Sequence, residues 1–123
     1  MKDIGHSPAT CEKINGVLSR IGDKWSLLIM IALNGRGVMR FNELKRHLGI
    51  SQRMLSLTLR ELERDGLITR TAFATVPPTV EYEMTDLGRS FAQAVRKLGE
   101  WGIAHLAEID AARLAYDQRE VSQ

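Results

Sequence analysis

Five polar side chains with hydrogen-bonding groups suited to nucleobases lie close together near the middle of the chain: Gln52, Arg53, Ser56, Arg60 and Arg64. Arginine can form two parallel hydrogen bonds with guanine, glutamine can do the same with adenine, and a serine hydroxyl can bond a phosphate oxygen. This set therefore favours the reading of DNA. Exposed helix faces of ordinary globular proteins are also rich in arginine and glutamine, so these residues alone leave both interpretations open.

Apolar residues at helical spacing predict the element that carries these side chains. Three leucines recur at intervals of three and four residues: Leu55, Leu59 and Leu62. They predict a helix with a buried apolar stripe, whose opposite face carries the polar set and is exposed to water. A helix of this kind fits the major groove of B-DNA.

A shorter helix and a tight turn precede this helix. The shorter helix is predicted over residues 41–48 from three apolar residues at the same spacing: Phe41, Leu44 and Leu48. Gly49 is expected to end it. Ser51 can cap the second helix, while Ile50 and Leu55 are placed to form a hydrophobic staple around its first turn. The segment therefore predicts a helix-turn-helix.

A hairpin is predicted directly after the second helix. Residues 67–73 and 80–84 are typical of strands, and residues 75–79 contain two prolines that mark a bend between them. Arg70 and the tip of this hairpin are placed to meet the DNA backbone or the adjacent minor groove. The predicted fold is a winged helix-turn-helix domain, mainly α with a small β-hairpin wing (α+β).

Positive charge is concentrated on this predicted module. The chain carries a net charge of +2, but residues 36–76 hold eight basic and four acidic side chains, which leaves the remainder net negative. Basic side chains displace the counterions of the phosphate backbone, so this distribution favours DNA binding. The predicted DNA contacts are Arg40, Lys45, Arg46, Ser51, Gln52, Arg53, Ser56, Arg60, Arg70 and Thr79. Among them, Gln52, Arg53, Ser56 and Arg60 are expected at base edges and nearby phosphates.

A long amphipathic helix is predicted over residues 85–117, with Thr85 as its cap. Its apolar stripe extends too far for a small winged-helix core to cover, so a second copy of the chain is the simplest partner. The helix predicted over residues 9–21 offers a surface for the same contact. The expected dimer contacts are Ile14, Val17, Leu18, Leu98, Trp101, His105, Leu106 and Ile109. Gly99 and Gly102 inside the long helix indicate either close helix approach or a kink.

Length and composition agree with one domain over residues 1–123. It would comprise an N-terminal dimerisation helix (9–21), a DNA-binding core and wing (24–84) and a C-terminal dimerisation helix (85–117). The core includes a helix from about Lys24 to Asn34 or Gly35, where either residue can adopt the left-handed conformation. The longest apolar run, residues 27–33, is far too short to span a membrane, and the first residues lack the apolar core of a signal peptide. We therefore expect neither a membrane-spanning segment nor a secretion signal in this sequence.

Cys11 is the only cysteine, so the chain cannot form an internal disulfide. One interpretation is a small buried apolar side chain. The other is a reactive thiol, because a helix N-terminus and the nearby Lys13 favour the thiolate, although Glu12 opposes it. The local chemistry leaves both interpretations open.

Several motifs occur in a fixed order: Cys11-Glu12, Ile21-Gly22-Asp23-Lys24-Trp25, Arg40-Phe41-Asn42-Glu43-Leu44, Arg60 through Ile68, Val76 through Tyr82 and Thr85-Asp86-Leu87-Gly88. Together they resemble the HxlR-type winged helix-turn-helix transcriptional regulators over roughly residues 10 to 105. The resemblance implies a small cytoplasmic regulator of bacteria, often a repressor, that binds operator DNA as a homodimer. It also implies that Cys11, which matches the sensing cysteine of several members, responds to an oxidant or electrophile.

Two other classes of function compete with this interpretation. The first is a winged-helix module that docks a partner protein, but its exposed face is rich in arginine and poor in the aromatic residues that protein interfaces favour. The second is an enzyme. His6, His47 and His105 are scattered, and no nucleophile or phosphate-binding motif is present, so we expect neither catalysis, nor a metal, nor another cofactor.

Overall fold

The computed structural model describes residues 8–122, which form six helices and three strands. His6 lies outside the described part, as do the first residues of the chain, which were expected to lack the apolar core of a signal peptide. The elements in chain order are α1 (Pro8–Gly22), α2 (Lys24–Arg36), β1 (Val38–Arg40), α3 (Phe41–Leu48), α4 (Gln52–Arg64), β2 (Ile68–Phe73), β3 (Thr79–Met84), α5 (Asp86–Ala104) and α6 (Leu106–Ser122). The chain divides into two compact units, residues 1–92 and 93–123.

The three strands form one antiparallel sheet in the order β1-β3-β2. β2 and β3 are the two strands of the predicted hairpin, paired from Ile68 with Met84 to Phe73 with Thr79. β1 pairs with the other side of β3, where Arg40 lies opposite Glu81. The hairpin is confirmed, whereas β1 was not predicted, because three residues are too few to show a period.

The core of the first unit lies between α2, α3, α4 and the sheet. Leu44, Leu55 and Leu62 have no exposed surface, and Ile29 and Met39 are equally buried. The stripe of α4 is therefore buried as predicted, α3 spans the predicted residues 41–48, and α4 begins directly after its predicted cap, Ser51. Trp25 packs against this core while remaining half-buried, with Lys24 Nζ 5.0 Å from its ring centroid.

The helix α2 continues beyond the predicted end. Asn34 and Gly35 are helical, and the residue with positive φ is Gly37 (φ 88°), whose amide donates to the carbonyl of Leu33. The expected left-handed conformation at Asn34 or Gly35 is therefore wrong. The buried Met39 lies two residues after this turn, so the helix ends where the chain must enter β1.

The helix predicted over residues 85–117 corresponds to α5 and α6, which are separated by the single residue His105. Thr85 caps α5 as predicted, since its Oγ1 accepts a hydrogen bond from the amide of Gly88 at 2.9 Å. α5 ends at Ala104 and α6 begins at Leu106, with His105 between them, whose Nδ1 lies 2.8 Å from the carbonyl oxygen of Trp101 and whose ring stacks on the Trp101 ring. The α-helical hydrogen bonds continue across this residue, because the amide of His105 donates to the carbonyl of Trp101 at 3.1 Å and the amide of Ile109 donates to the carbonyl of His105 at 3.0 Å.

Gly99 and Gly102 both lie inside α5. A Cβ atom at either position would meet no atom within 4 Å. Packing within the chain therefore does not require glycine there. None of the helices in residues 8–122 is long and apolar enough to cross a membrane.

Candidate nucleic-acid interface

The turn between α3 and α4 has the geometry that its residues predicted. Gly49 adopts the left-handed conformation (φ 64°, ψ 29°), and its amide donates to the carbonyl of Lys45 at 2.9 Å. Ser51 Oγ accepts from the amide of Met54 at 3.1 Å and so caps α4. Ile50 and Leu55 are both buried on either side of this cap. The relative position of the two helices is therefore fixed by local contacts.

The face of α4 opposite its buried leucines is exposed and basic. Arg53, Arg60 and Arg64 lie on it at helical spacing, and all three are exposed. Leu57 lies on the same face with 47% of its surface exposed, and Met54 beside it is 40% exposed. The predicted polar face is present, but these two exposed apolar residues were not predicted on it, since the leucine-rich run Met54 to Leu59 is typical of core.

A groove of about 330 Å³ separates α4 from the wing. Ser56 and Arg60 line one side and Arg70 of β2 lines the other, while Phe41 and the buried Tyr82 form part of its wall. The fold therefore brings three of the predicted DNA contacts to one groove from two distant segments. Glu63 also lines this groove, so one carboxylate is present among the cations.

A second groove, of about 770 Å³, lies between the start of α3 and the loop of the wing. Arg40, Arg46 and Thr79 line it, together with Pro77 and Pro78. These three predicted contacts are therefore also neighbours.

The loop of the wing is held by its own threonines. Thr75 Oγ1 donates to the carbonyl of Pro77 at 2.8 Å and lies 3.3 Å from Thr79 Oγ1. The Val76–Pro77 peptide bond is cis, and the side chain of Val76 is fully exposed. The hydroxyl groups of Thr75 and Thr79 therefore form their contacts within the loop.

Four of the predicted contacts line neither groove, and Arg40 has a carboxylate neighbour within the chain. Gln52 and Arg53 are exposed at the start of α4 outside both grooves, and Ser51 uses its oxygen as the cap. Lys45 is half-buried and lines neither groove. The Nε of Arg40 lies 3.8 Å from a carboxylate oxygen of Glu81, so its charge is already partly compensated.

The opposite flank of α4 is tied to α1 by Arg20, a contact that the sequence analysis missed. Arg20 Nε donates to Asp65 Oδ2 at 2.6 Å, and its Nη1 donates to Glu61 Oε2 at 2.7 Å. The hydrogen bond to Asp65, followed by that to Glu61, raises the pKa of Arg20 despite partial burial. No local pattern reveals a pairing of residues more than forty positions apart.

Replacing Arg20 with methionine should lower the free energy of unfolding by about 1 kcal/mol, because two charged hydrogen bonds at a partly exposed site are lost. Urea unfolding measures this change, and a double-mutant cycle with Glu61→Gln should show coupling between the two side chains. Arg96→Met is the matched control, since its contact with Glu100 is 3.9 Å long and highly exposed. Equal effects of both variants would contradict a specific role of Arg20.

The expected dimer contacts are partly or largely exposed. Val17 and Leu18 of α1 are at least half exposed, as are Leu98, Trp101 and Leu106 of α5 and α6. Ile14, His105 and Ile109 are half-buried. Ile103, which is 78% exposed, is an apolar residue of α5 that the sequence analysis did not include.

Cys11 is half-buried at the end of the first turn of α1. Among the described residues, no group of three His, Cys, Asp or Glu side chains is arranged to hold a metal ion.

Comparison with known proteins places this geometry in a family. The model of the HxlR-like helix-turn-helix family matches residues 20–110. YtfH of Escherichia coli (strain K12), an uncharacterized HTH-type transcriptional regulator, is 40% identical over 98 residues, which are 79% of this chain and 77% of that protein.

Solved structures agree. The redox regulator HypR in its reduced form has 38% identity and a TM-score of 0.68, covering 80% of this chain and 98% of that one. The reduced form of the transcriptional regulator YodB from Bacillus subtilis has 30% identity and a TM-score of 0.66, covering 73% of this chain and 88% of that one. Because the matched span contains the helix-turn-helix and its wing, the chain belongs to the HxlR-like helix-turn-helix family and is a transcriptional regulator of the helix-turn-helix type.

Proposed function

We propose that this regulator is a sequence-specific repressor that binds a pseudo-palindromic operator as a homodimer. The observation that carries the proposal is the exposed basic face of α4, which lies beside a groove that ends on Arg70 of the wing. The N-terminal turns of α4 would enter the major groove, where Gln52, Arg53, Ser56 and Arg60 are in position to reach base edges. The wing and the start of α3 would hold the phosphate backbone.

The test is the selection of bound duplexes from a random DNA pool by the reduced protein, followed by fluorescence anisotropy at two salt concentrations. We expect one enriched motif with two-fold symmetry, and an affinity for it about a thousandfold or more above that for a scrambled duplex. Affinity should fall steeply with salt, because bound phosphates release counterions. A protein that enriches no motif and binds all duplexes equally weakly would contradict the proposal and favour a protein partner for the exposed face of α4.

The homodimer is supported by the exposed apolar residues of α1, α5 and α6. A charge placed among them should therefore separate the protomers. We expect Leu98→Glu to sediment as a monomer of 13.8 kDa at concentrations where the wild type sediments as a dimer. Val76→Glu is the matched control, because Val76 is a fully exposed apolar residue in the loop of the wing, outside the proposed interface, and it should remain a dimer. A monomeric wild type would contradict the proposed assembly.

We also propose that Cys11 senses oxidants or electrophiles. The similarity to HypR, whose structures in reduced and oxidized forms both match this chain, supports the idea. In the simplest step the Cys11 thiols of two protomers join as a disulfide, and two electrons and two protons pass to an oxidant such as diamide. Attack by the thiolate on an electrophile such as a quinone is a second route.

Diamide should reduce operator affinity of the wild type by at least tenfold and produce a cross-linked dimer on a non-reducing gel. The Cys11→Ser variant should bind the operator as the reduced wild type does and show neither change, because serine forms no disulfide. Dithiothreitol should restore the wild type. The same loss of affinity in both proteins would show that Cys11 is not the sensor.

A further inference from the structure

One leucine of α4 points away from the core. Leu55, Leu59 and Leu62 are at most 2% exposed, whereas Leu57 is 47% exposed. Successive residues of a helix turn by about 100°, so Leu57 shares its face with Arg53, four residues before it, and Arg60, three residues after it. An apolar side chain therefore lies between two arginines on the face that we propose to enter DNA.

The position of Leu57 is what makes its exposure informative. Single exposed leucines are common on protein surfaces and need no function. Leu57, however, lies in the N-terminal half of α4, between guanidinium groups that are suited to guanine. Its isobutyl group can neither donate nor accept a hydrogen bond, so within a groove it can distinguish bases only by apolar contact. In the major groove, the apolar group that marks one base is the C5-methyl of thymine.

Met54 reinforces the apolar character of this part of the helix. It is 40% exposed and lies three residues before Leu57, on the neighbouring flank. Thr58, the residue directly after Leu57, is buried and donates its hydroxyl to the carbonyl of Met54 at 2.7 Å. It therefore offers no hydroxyl to a base. Ser56 lines the groove beside the wing, so Leu57 is the apolar side chain on the face that Arg53 and Arg60 share.

We propose that Leu57 is a specificity-determining residue that packs against the methyl group of a thymine flanked by the bases that Arg53 and Arg60 contact. This inference rests on the proposed function, since it takes α4 as the helix in the major groove. It adds a requirement on the operator: each half-site must carry a thymine at this position, with its C5-methyl group.

The experiment uses deoxyuridine, which differs from thymidine only by the missing C5-methyl. The motif enriched by the full-length wild type is remade with each thymine replaced in turn, symmetrically in both half-sites. We expect one position at which the wild type loses about fourfold in affinity for each methyl removed, which corresponds to about 0.8 kcal/mol. Leu57→Ala should bind the thymine and uracil duplexes equally. Leu57→Met should retain the preference, because methionine keeps an apolar side chain of similar reach.

Arg53→Ala is the matched control for a general loss of binding. It should weaken binding to both duplexes by the same factor and keep the thymine preference. If replacing each thymine of the motif with uracil leaves the affinity of the wild type unchanged at every position, the inference is overturned and the proposed function stays intact. The same would follow if Leu57→Ala kept the full thymine preference, since the methyl would then act through DNA shape or another residue. Enrichment of no motif at all would overturn the proposed function and this inference with it.

Discussion

Replacing Gly88 with alanine is expected to lower the free energy of unfolding by about 3 kcal/mol or more. A Cβ atom at this position would lie 2.1 Å from the carbonyl oxygen of Leu67 and 3.2 Å from the terminal methyl of Met84. The carbonyl cannot easily move, because it accepts a hydrogen bond from the amide of Thr85 at 3.0 Å. Alanine would therefore have to push α5 away from the start of β2.

The contacts around Gly88 explain why this shift is costly. The hydroxyl of Thr85 accepts from the amide of Gly88 and donates to the carbonyl of Gly66 at 2.7 Å, so the cap joins α5 to the turn after α4. Leu67 and Ile68, at this junction, are both buried. Separating the elements would break these hydrogen bonds and open the core at the same time.

Urea unfolding followed by tryptophan fluorescence measures the effect, at one protein concentration for all variants. Gly35→Ala is the matched control. Gly35 lies in α2, is exposed, and has open space where a Cβ would be placed, so alanine should leave stability unchanged or raise it by up to about 1 kcal/mol. A Gly88→Ala protein with the midpoint of the wild type would show that the close approach to Leu67 is absent.

Arg53→Ala is expected to weaken binding to the selected operator by about 1 to 3 kcal/mol for each half-site, the cost of losing a bidentate contact with a base. Arg53 is exposed near the start of α4, so its guanidinium group is accessible from solvent. Its loss on a scrambled duplex should be smaller, because a base contact contributes little there. Anisotropy titrations on both duplexes give the two values.

The salt dependence separates two roles of this arginine. If Arg53 reads a base, the affinity ratio between operator and scrambled duplex falls in the variant. If it only binds phosphate, both affinities fall equally and the slope of log affinity against log salt decreases by about one. Arg113→Ala removes the same charge from an exposed position on α6 and should change neither quantity. Equal losses from Arg53→Ala and Arg113→Ala would mean that only net charge matters.

Much of the first unit could be predicted from the sequence because its signals are local. The staple around Ser51, the glycine at residue 49 and the leucine stripe of α4 each depend on residues within about one or two helical turns. The hairpin follows from two strand-forming runs on either side of a proline-containing bend. For the same reason the sequence marked Ser56, Arg60 and Arg70 as candidate contacts, since their types and exposure follow from local periodicity.

The unpredicted strand β1 depends on contacts between residues that are distant in the sequence. β1 exists because three residues pair with β3, more than forty positions away, although they have no period of their own. α5 and α6 are separated by His105 alone, and the α-helical hydrogen bonds continue across it. Periodicity continues through that position, so it predicts an uninterrupted helix.

By itself, the sequence determined the helix-turn-helix, the wing and the basic character of the exposed face of α4, because short-range spacing, caps and turn residues specify them. Only the tertiary structure decided which side chains share a groove, that Arg20 holds Glu61 and Asp65, and that Gly88 lies against Leu67. It also decided that Leu57, one of four leucines within eight residues, faces outward while the other three fill the core. A sequence pattern records how often apolar residues recur, whereas the direction that each one faces depends on what packs against its helix.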